Sequence, residues 1–344
     1  MKRTTIKDIA TMCGVSPSTV SRAINNTDEI SQATREKILA TIEETGYIPS
    51  QNARNLKVHK NKTIAVIVKG VTNPFFTPML NVLEEEITKT HYTFSLHKVE
   101  ENRCELEVAQ RVVENVKPEG IIFLGGYHIE DSRKLHRLGV PFSMTTTINR
   151  DLEVDHSTCV GVDDYAESKK MIEYLINLGH RKIAFIAARS DDESIGRLRL
   201  EGYRSALKEH GIDYDERLVI YPTTDLNPYS LHHGYQSACK IIKEQIDCTA
   251  IFAISDFVAI GAIKAIDDHG YRVPEDYSVA GFDGLEINEF LLKPITTIIQ
   301  PSAKIAYQSV VDLFHIINNE VYPKMSEFEG ELYIGATTQP LENG

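Results

Sequence analysis

No apolar run in the 344 residues approaches the ~18 that a membrane-spanning helix needs, so no transmembrane helix is expected. A secretory signal is missing too. The opening MKRTTIKDIATMC brings Lys2, Arg3 and Lys7 but no apolar core or small-residue cleavage site after them, and a cytoplasmic protein is expected. Cysteine is scarce: Cys13, Cys104, Cys159, Cys239 and Cys248 are an odd number, widely spaced and without a CxxC. That argues against a disulfide framework and a zinc site, and small buried side chains are the simpler reading. The recurrent signatures of enzymes are equally missing. There is no GxGxxG after a strand, no phosphate-binding GxxxxGK, no GxSxG and no HExxH, and His232 and His233 are adjacent rather than at metal-ligand spacing. No catalytic residue, cofactor or metal is assigned.

What is present is ordinary for a soluble protein in bulk but uneven in charge. Hydrophobic residues make up 42% and charged residues 25%, and at ~150 residues per domain the length suits two or three domains. The net charge of −12 hides a division. Residues 1 to 60 hold nine Lys and Arg against six Asp and Glu, a net +3, and the remaining 284 residues carry −15. A basic head on an acidic body suggests that only the head meets a polyanion.

The head has the geometry for it. Ile6, Ile9, Ala10 and Cys13 recur at helical spacing, and Gly14 can end that helix in the left-handed conformation. Ser16 is an N-cap residue type and Pro17 fits the first helical position, so a second helix starts almost at once. Val20, Ala23 and Ile24 form its buried stripe, which leaves Pro17, Ser18, Thr19, Ser21 and Arg22 facing outward. Ser31 caps a third helix packed through Ile38, Leu39 and Ile42 and stopped by Gly46. Two short helices joined by a tight turn and buttressed by a third form a helix-turn-helix, whose second helix enters the major groove of DNA. Ser16, Thr19 and Ser21 suit phosphate oxygens, and Arg22 suits the paired acceptors of guanine. The competing reading, a three-helix cap without a ligand, leaves this hydroxyl-rich face with its single arginine unexplained.

The stretches TIKDIATMCGVSPSTVSRAINN and TREKILATIEETGYIP resemble the head of the lactose-repressor (LacI/GalR) family of bacterial transcription regulators. The resemblance implies that Pro17, Ser18 and Arg22 read bases, with Thr5, Asn25 and Ser31 among the DNA-contacting positions. In QNARNLKVHK it implies a hinge helix that brings Ala53 and Leu56 to the minor groove, Leu56 as an unstacking wedge and Lys57 as a phosphate contact. Without the resemblance, residues 51 to 62 read as a polar, basic linker.

From Thr63 onward, apolar strands such as TIAVIV, IIFLGG, CVGV, KIAFIAA and AIFAI alternate with amphipathic helices. That alternation implies an α/β body with parallel sheets, and some 280 residues exceed one comfortable core, so two lobes are expected. The resemblance implies a two-lobed, periplasmic-binding-protein-like body with three crossovers, placed near residues 159 to 162, 290 to 293 and 320 to 325. The expected divisions are a head at 1–48, a hinge at 49–62, a first lobe at 63–159 and 293–322, and a second lobe at 160–292 and 323–344.

Ligands of open parallel sheets bind beyond the carboxyl ends of the strands. After TIAVIV comes VTNPFF, where Asn73 can cap a helix that Pro74 starts; the resemblance nominates Asn73 and Phe75 for an effector site, against the alternative of a capping turn with a core phenylalanine. After KIAFIAA, Arg199 matches the family's effector-gripping arginine, and Arg197 is either its surface neighbour or the real ligand. Asp283, ending VAGFD, matches the family's hydroxyl-accepting aspartate, and Tyr229 matches a stacking aromatic. Ser255 and Asp256 stand where relatives read Asn-Asp, with Asp256 the more natural helix cap. Thr146 replaces an acidic residue of several sugar-responsive relatives. The leading expectation is a ligand-controlled, DNA-binding repressor of a carbohydrate operon. Its expected partners are a palindromic operator, a sugar-like effector and a second copy of the chain, with no membrane. A transport receptor has no use for residues 1 to 60, and an enzyme of sugar metabolism is a distant third.

Overall fold

The computed structural model describes residues 4–24, 30–45, 47, 62–100, 103–125, 132–223 and 226–341. Chain contacts divide it into a head, residues 1–61, and a body, residues 62–344.

In the head, α1 (Ile6–Cys13) opens on a reciprocal cap: Thr5 Oγ1 accepts from the Asp8 amide at 3.4 Å while the Asp8 carboxylate accepts from the Thr5 amide at 2.8 Å. Gly14, at φ +67°, ends the helix. The Lys37 ammonium then donates to the freed carbonyl of Cys13 at 3.2 Å. Pro17 starts α2 (Pro17–Ile24), and α3 (Gln32–Thr45) follows with Ser31 accepting from the Thr34 amide at 3.3 Å. Ile9, Ala10, Cys13, Val20, Ala23 and Ile38 are the core, with Ile42 packed at its edge. Leu39 does not join them; it is 45% exposed, because the helical turn from Ile38 carries it to the solvent face. Gly46 lies outside the described residues.

The body holds two parallel sheets. The first is built from β1 (Thr63–Lys69), β2 (Thr93–Val99), β3 (Gly120–Leu124), β4 (Phe142–Thr145), β5 (Ser157–Val162) and a late strand, residues 325–328, in the order β2, β1, β3, β4, β5, then that strand. Helices α4 (Phe76–Thr88), α5 (Glu105–Val116) and α6 (Ser132–His136) connect its strands. The second sheet orders β6 (Ile183–Ile186), β7 (Val219–Ile220), β8 (Ala250–Ala253) and β9 (Ser278–Ala280) as β7, β6, β8, β9, with α7 (Asp164–Asn177), α8 (Ile195–Glu209), α9 (Leu231–Lys243) and α10 (Asp256–Asp268) around it. The central strands are buried on both faces, which is why they read as continuous apolar runs.

The crossovers fall later than expected. β5 pairs with β4 over residues 157–160 and with the late strand over residues 159–162, so all of it stays in the first sheet and the chain first crosses after Val162. Bridges from Ala280 to Thr296 and from Asp283 to Ile299 keep β10 (Thr297–Ile299) with the second lobe, whereas α11 (Ser302–Ile317) buries Ile305, Val310 and Leu313 beneath the first sheet. β11 (Met325–Phe328) pairs in parallel with β5 and belongs to the first lobe, and β12 (Glu331–Tyr333) returns to β10. The expected second-lobe segments 160–292 and 323–344 are corrected accordingly, since hydrogen-bonded sheet partners decide which lobe owns a strand. Residues 337–341 then strap the second lobe: the Val279 amide donates to the Thr337 carbonyl at 2.7 Å, the Thr337 hydroxyl donates back to the Val279 carbonyl at 2.6 Å, and the Leu341 amide donates to Leu178 O at 2.8 Å.

All five cysteines are free, and four are buried. Two glycines let α9 and α10 touch. A Cβ on Gly234 would lie 1.9 Å from the Val258 carbonyl oxygen, and one on Gly261 would lie 2.0 Å from that of Leu231. Because backbone rather than a flexible tip is in the way, Gly234→Ala is expected to destabilise the body by about 1–3 kcal/mol or more. Urea unfolding of the two proteins checks it; an unchanged midpoint would mean that the helices separate freely.

Candidate functional site

Two surfaces carry the functional candidates. In the head, Pro17, Ser18 and Arg22 are exposed, and Ser18 and Arg22 lie one turn apart on α2. Ser16 Oγ bonds the hydroxyls of Ser18 and Thr19 at 2.7 and 2.8 Å and accepts from the Thr19 amide, so a pre-ordered cluster of hydroxyls sits at the helix N-terminus. Ser21 is half-buried beside it. Such a terminus favours phosphate oxygens, and the exposed arginine one turn on can reach a base edge. Thr5 and Ser31 serve first as caps of α1 and α3. Asn25, Ala53, Leu56 and Lys57 lie outside the described residues.

In the body, a cleft of about 440 Å³ opens between the lobes beyond the carboxyl ends of the strands. Asn73, at the start of α4, and Tyr229, just before α9, line it from opposite lobes. The starts of α5 and α8 also reach it, at Cys104 and Ser194, so several helix N-termini converge there. Phe75 does not line the cleft and its neighbour Phe76 does, although both rings pack in the first-lobe core, at 6% and 5% exposure. The Asn73 side chain fixes that phase by accepting from the Phe75 amide at 3.1 Å.

Beneath the cleft lies a buried cluster. Arg199 reaches inward from α8 and is 2% exposed. Its Nε donates to Asp164 at 2.9 Å, one Nη donates to the Ile254 carbonyl, the other stands 3.6 Å from Asp283, and the guanidinium stacks 3.6 Å from the Phe282 ring centre. Gln300 Nε2 donates to Asp283 at 2.8 Å. Arg197 is the surface residue of the pair, bridging Glu193 and Glu201 along α8. Ser255, not Asp256, caps α10, accepting from the Val258 amide; Asp256 instead accepts from the Leu285 amide at 2.8 Å and the Thr297 hydroxyl at 2.6 Å, which holds the turn after Asp283. The sequence reading missed Asp164 and Gln300. The doubled aspartate at 163 and 164 was the available signal: Asp163 caps α7 by accepting from the Ala166 amide, and Asp164 turns inward.

Backbone strain marks the same place. Thr146, at φ +78°, and Asp283, at φ +117°, are non-glycine residues in left-handed territory at strand ends of opposite lobes. A β-branched residue there is costly, of order 1–3 kcal/mol, and such strain gathers at ligand sites. Three buried polar atoms, Asp164 Oδ2 and Gln300 Oε1 in this cluster and Thr146 Oγ1 at the end of β4, have no hydrogen-bond partner. Two are acceptors and one is a hydroxyl, so the group that completes them must bring hydrogen-bond donors. Among the described residues, no cluster of His, Cys, Asp and Glu could hold a metal ion, and no helix is long and apolar enough to cross a membrane.

Known proteins resemble both parts of the chain. Residues 5–50 match the family model for bacterial regulatory proteins of the lacI family, and residues 172–338 match that for a periplasmic binding protein-like domain. The chain is 39% identical to the HTH-type transcriptional regulator MalR of Clostridium butyricum, across 92% of this chain and 93% of that one. It is 32% identical to the ribose operon repressor of Haemophilus influenzae across 92% of each. Among solved structures it is similar to the regulator CelR in complex with cellobiose (28% identity, TM-score 0.68, 97% of this chain and all of that one). It is also similar to the lac repressor dimer bound to operator and an anti-inducer (25% identity, TM-score 0.73, 98% of this chain and all of that one).

The floor also predicts a pH response. Burial pushes the Asp283 carboxyl up to about 8 despite Arg199, with Asp256 adding to the rise, and burial pushes Asp164 and Asp256 up to about 6. In the unfolded chain these groups ionise near ~3.9. Between that value and the folded ones the native state binds more protons, so stability falls as pH rises through the window from about 4 to 8 and levels above it. Urea midpoints of the ligand-free protein are expected to decline across this window, and Asp283→Asn is expected to flatten the upper half of the decline. An unchanged slope in the variant would remove Asp283 as its source.

Proposed function

The chain belongs to the lacI family of bacterial regulatory proteins, and we propose that it is a transcription repressor whose operator binding is tuned by a small sugar-like effector held between the lobes. One observation carries the effector half: a buried floor whose acceptor atoms lack donors, under a cleft lined by both lobes. A polyol supplies such donors along its rim and an apolar C–H face for Tyr229. The cellobiose complex of the related regulator and the ribose operon repressor support the same ligand class. Binding in a crevice between lobes gives the ligand a preference for one closure state, and that differential affinity is what shifts the DNA-binding population. The absence of an assembled catalytic constellation in the sequence supports a regulator without enzymatic activity, acting in the cytoplasm, where its DNA is.

The DNA half rests on α2 and its exposed arginine. Arg22→Ala is expected to weaken operator binding by about 1–3 kcal/mol and relax discrimination at one base pair, and affinity of the intact protein should fall steeply with salt. Gel-shift titrations against operator variants at several salt concentrations check both; full retention of specificity without Arg22 would remove it from base reading. Asp283→Asn is expected to raise the effector concentration needed to change operator binding.

A palindromic operator calls for a two-fold dimer. On the second lobe Phe290 is 77% exposed and Leu292 fully exposed, with Ile287 also in solvent, which is an apolar cost that a partner subunit removes. Sedimentation is expected to show a dimer, with Phe290→Asp shifting it toward monomer. A monomer at micromolar concentration, or a dimer indifferent to Phe290, would count against this surface.

A further inference from the structure

The lobes are tied together by more than the crossovers. Phe257 lies in the first turn of α10 and Leu285 follows Asp283 by two residues, so by backbone pairing both belong to the second lobe. Their chain neighbours Val258 and Phe282 are packed in the second-lobe core. Their own side chains are not. Leu285, 8% exposed, is a member of the first-lobe cluster that holds Val68, Phe75 and Phe76, and the half-buried Phe257 ring packs against the same cluster. Two apolar side chains therefore leave the core of the lobe that carries them and join the core of the other.

Both are held in place by one residue. Asp256 is buried; it accepts from the Leu285 amide at 2.8 Å and the Thr297 hydroxyl at 2.6 Å, while its own amide donates to the Phe282 carbonyl at 2.8 Å. It thus joins the start of α10, which carries Phe257, to the turn that carries Leu285. Gly284 in that turn has φ +71°, and a Cβ there would lie 2.6 Å from the Ile299 Cα, which leaves the turn a single course. Ser255 already caps α10, so a buried carboxylate is a costly addition for the helix alone. What it adds is the register between the two apolar side chains.

The same segments build the floor of the crevice. Asp256 and Asp283 both feel the Arg199 charge, and Phe257 and Leu285 stand one and two residues beyond them. A displacement of either carboxylate is passed on to a side chain seated in the opposite lobe. Apolar contact between lobes favours their closed arrangement by the surface it removes from water, so part of the free energy of closure resides in the chain itself. An effector then has only the remainder to supply.

We propose that Phe257 and Leu285 form an apolar latch that holds the second lobe closed on the first, with Asp256 as the positioning residue that sets both. The latch is a property of the lobes and does not rest on the chemistry of the effector. Hydrogen exchange of the full-length protein, followed peptide by peptide, tests it. Phe257→Ser is expected to speed amide exchange at residues 70–76 and 282–288 by about tenfold or more, while β6 and β8 inside the second-lobe core keep their protection. Asp256→Ala should do the same without removing either apolar side chain, and Phe257→Leu should restore most of the protection. Faster exchange that spreads to β6 and β8 makes Phe257 an ordinary prop of its own lobe and overturns the latch, as does wild-type exchange at both segments. The chain has no tryptophan, so Phe257→Trp gives a second reading from a variant that keeps a large ring. Its emission is expected to be blue-shifted and shielded from acrylamide relative to the same protein unfolded in urea, and Leu285→Ser in that background is expected to raise the quenching. Quenching of the folded protein equal to the unfolded, or indifferent to Leu285, overturns the proposal.

Discussion

A single guanidinium, buried among three carboxylates, is the constraint on which the crevice depends. Arg199 enters from α8 and is gripped by the start of α7 through Asp164, by the chain after β8 through the Ile254 carbonyl, and by the end of β9 through Phe282 and Asp283. Gln300, where the chain leaves the second lobe for α11, is tied to the same aspartate. One side chain therefore indexes three segments that arrive from distant parts of the sequence, and Asp283 brings in a fourth through Gln300. Truncating it would strand buried carboxylates, a loss of about 3–5 kcal/mol for a broken buried pair, which makes Arg199 part of the scaffold as much as of the site. Asp283, which keeps a hydrogen-bonding isostere in asparagine, is the cleaner probe of ligand chemistry.

Satisfied and unsatisfied polar groups separate scaffold from site. His233 is as buried as Arg199, yet its ring is bonded on one side to the Ala187 carbonyl and on the other to Ser237. His180 is bonded to Thr249, Ser278 and the Gln339 carbonyl. Burial holds both histidines below their usual pKa, and nothing in their surroundings is left for a ligand to complete. The Arg199 cluster and the end of β4 differ in kind, with donors missing at Thr146, Asp164 and Gln300 and strain at Thr146 and Asp283.

Local chemistry was readable along the chain and long-range pairing was not. Gly14, Ser16 and Pro17 announce a turn and a helix start by backbone rules that need no partner, and the structure places α1 and α2 accordingly. Doubly buried strands such as β1 and β3 show as apolar runs. β2, an edge strand with alternating exposure, gives no such run, and β11, with the sequence MSEF, owes its place to β5, more than 160 residues earlier. Misplacing β11 and β10 moved the expected crossovers. Phe75 and Phe76 differ by one step of ~100° around the chain, so only the phase set by Asn73 decides which ring reaches the cleft. Arg199 and Asp283 were legible through a family pattern, whereas Asp164 follows directly on the capping Asp163 and Gln300 carries no local signal.

The late strands have a consequence for how the protein is made. The head closes its core between Ile9 and Ile38, so it can fold while most of the chain is still being synthesised. Neither lobe can. The first sheet awaits β11 at its edge and α11 beneath it, and the second lobe awaits β12 against β10 and the strap at Thr337 to Leu341. Contacts of such long sequence separation are slow to form and leave apolar sheet faces uncovered meanwhile. A nascent chain stalled before residue 325 would thus carry a folded reading head on two unfinished lobes, a species prone to aggregation and open to chaperones, and one that no effector could govern.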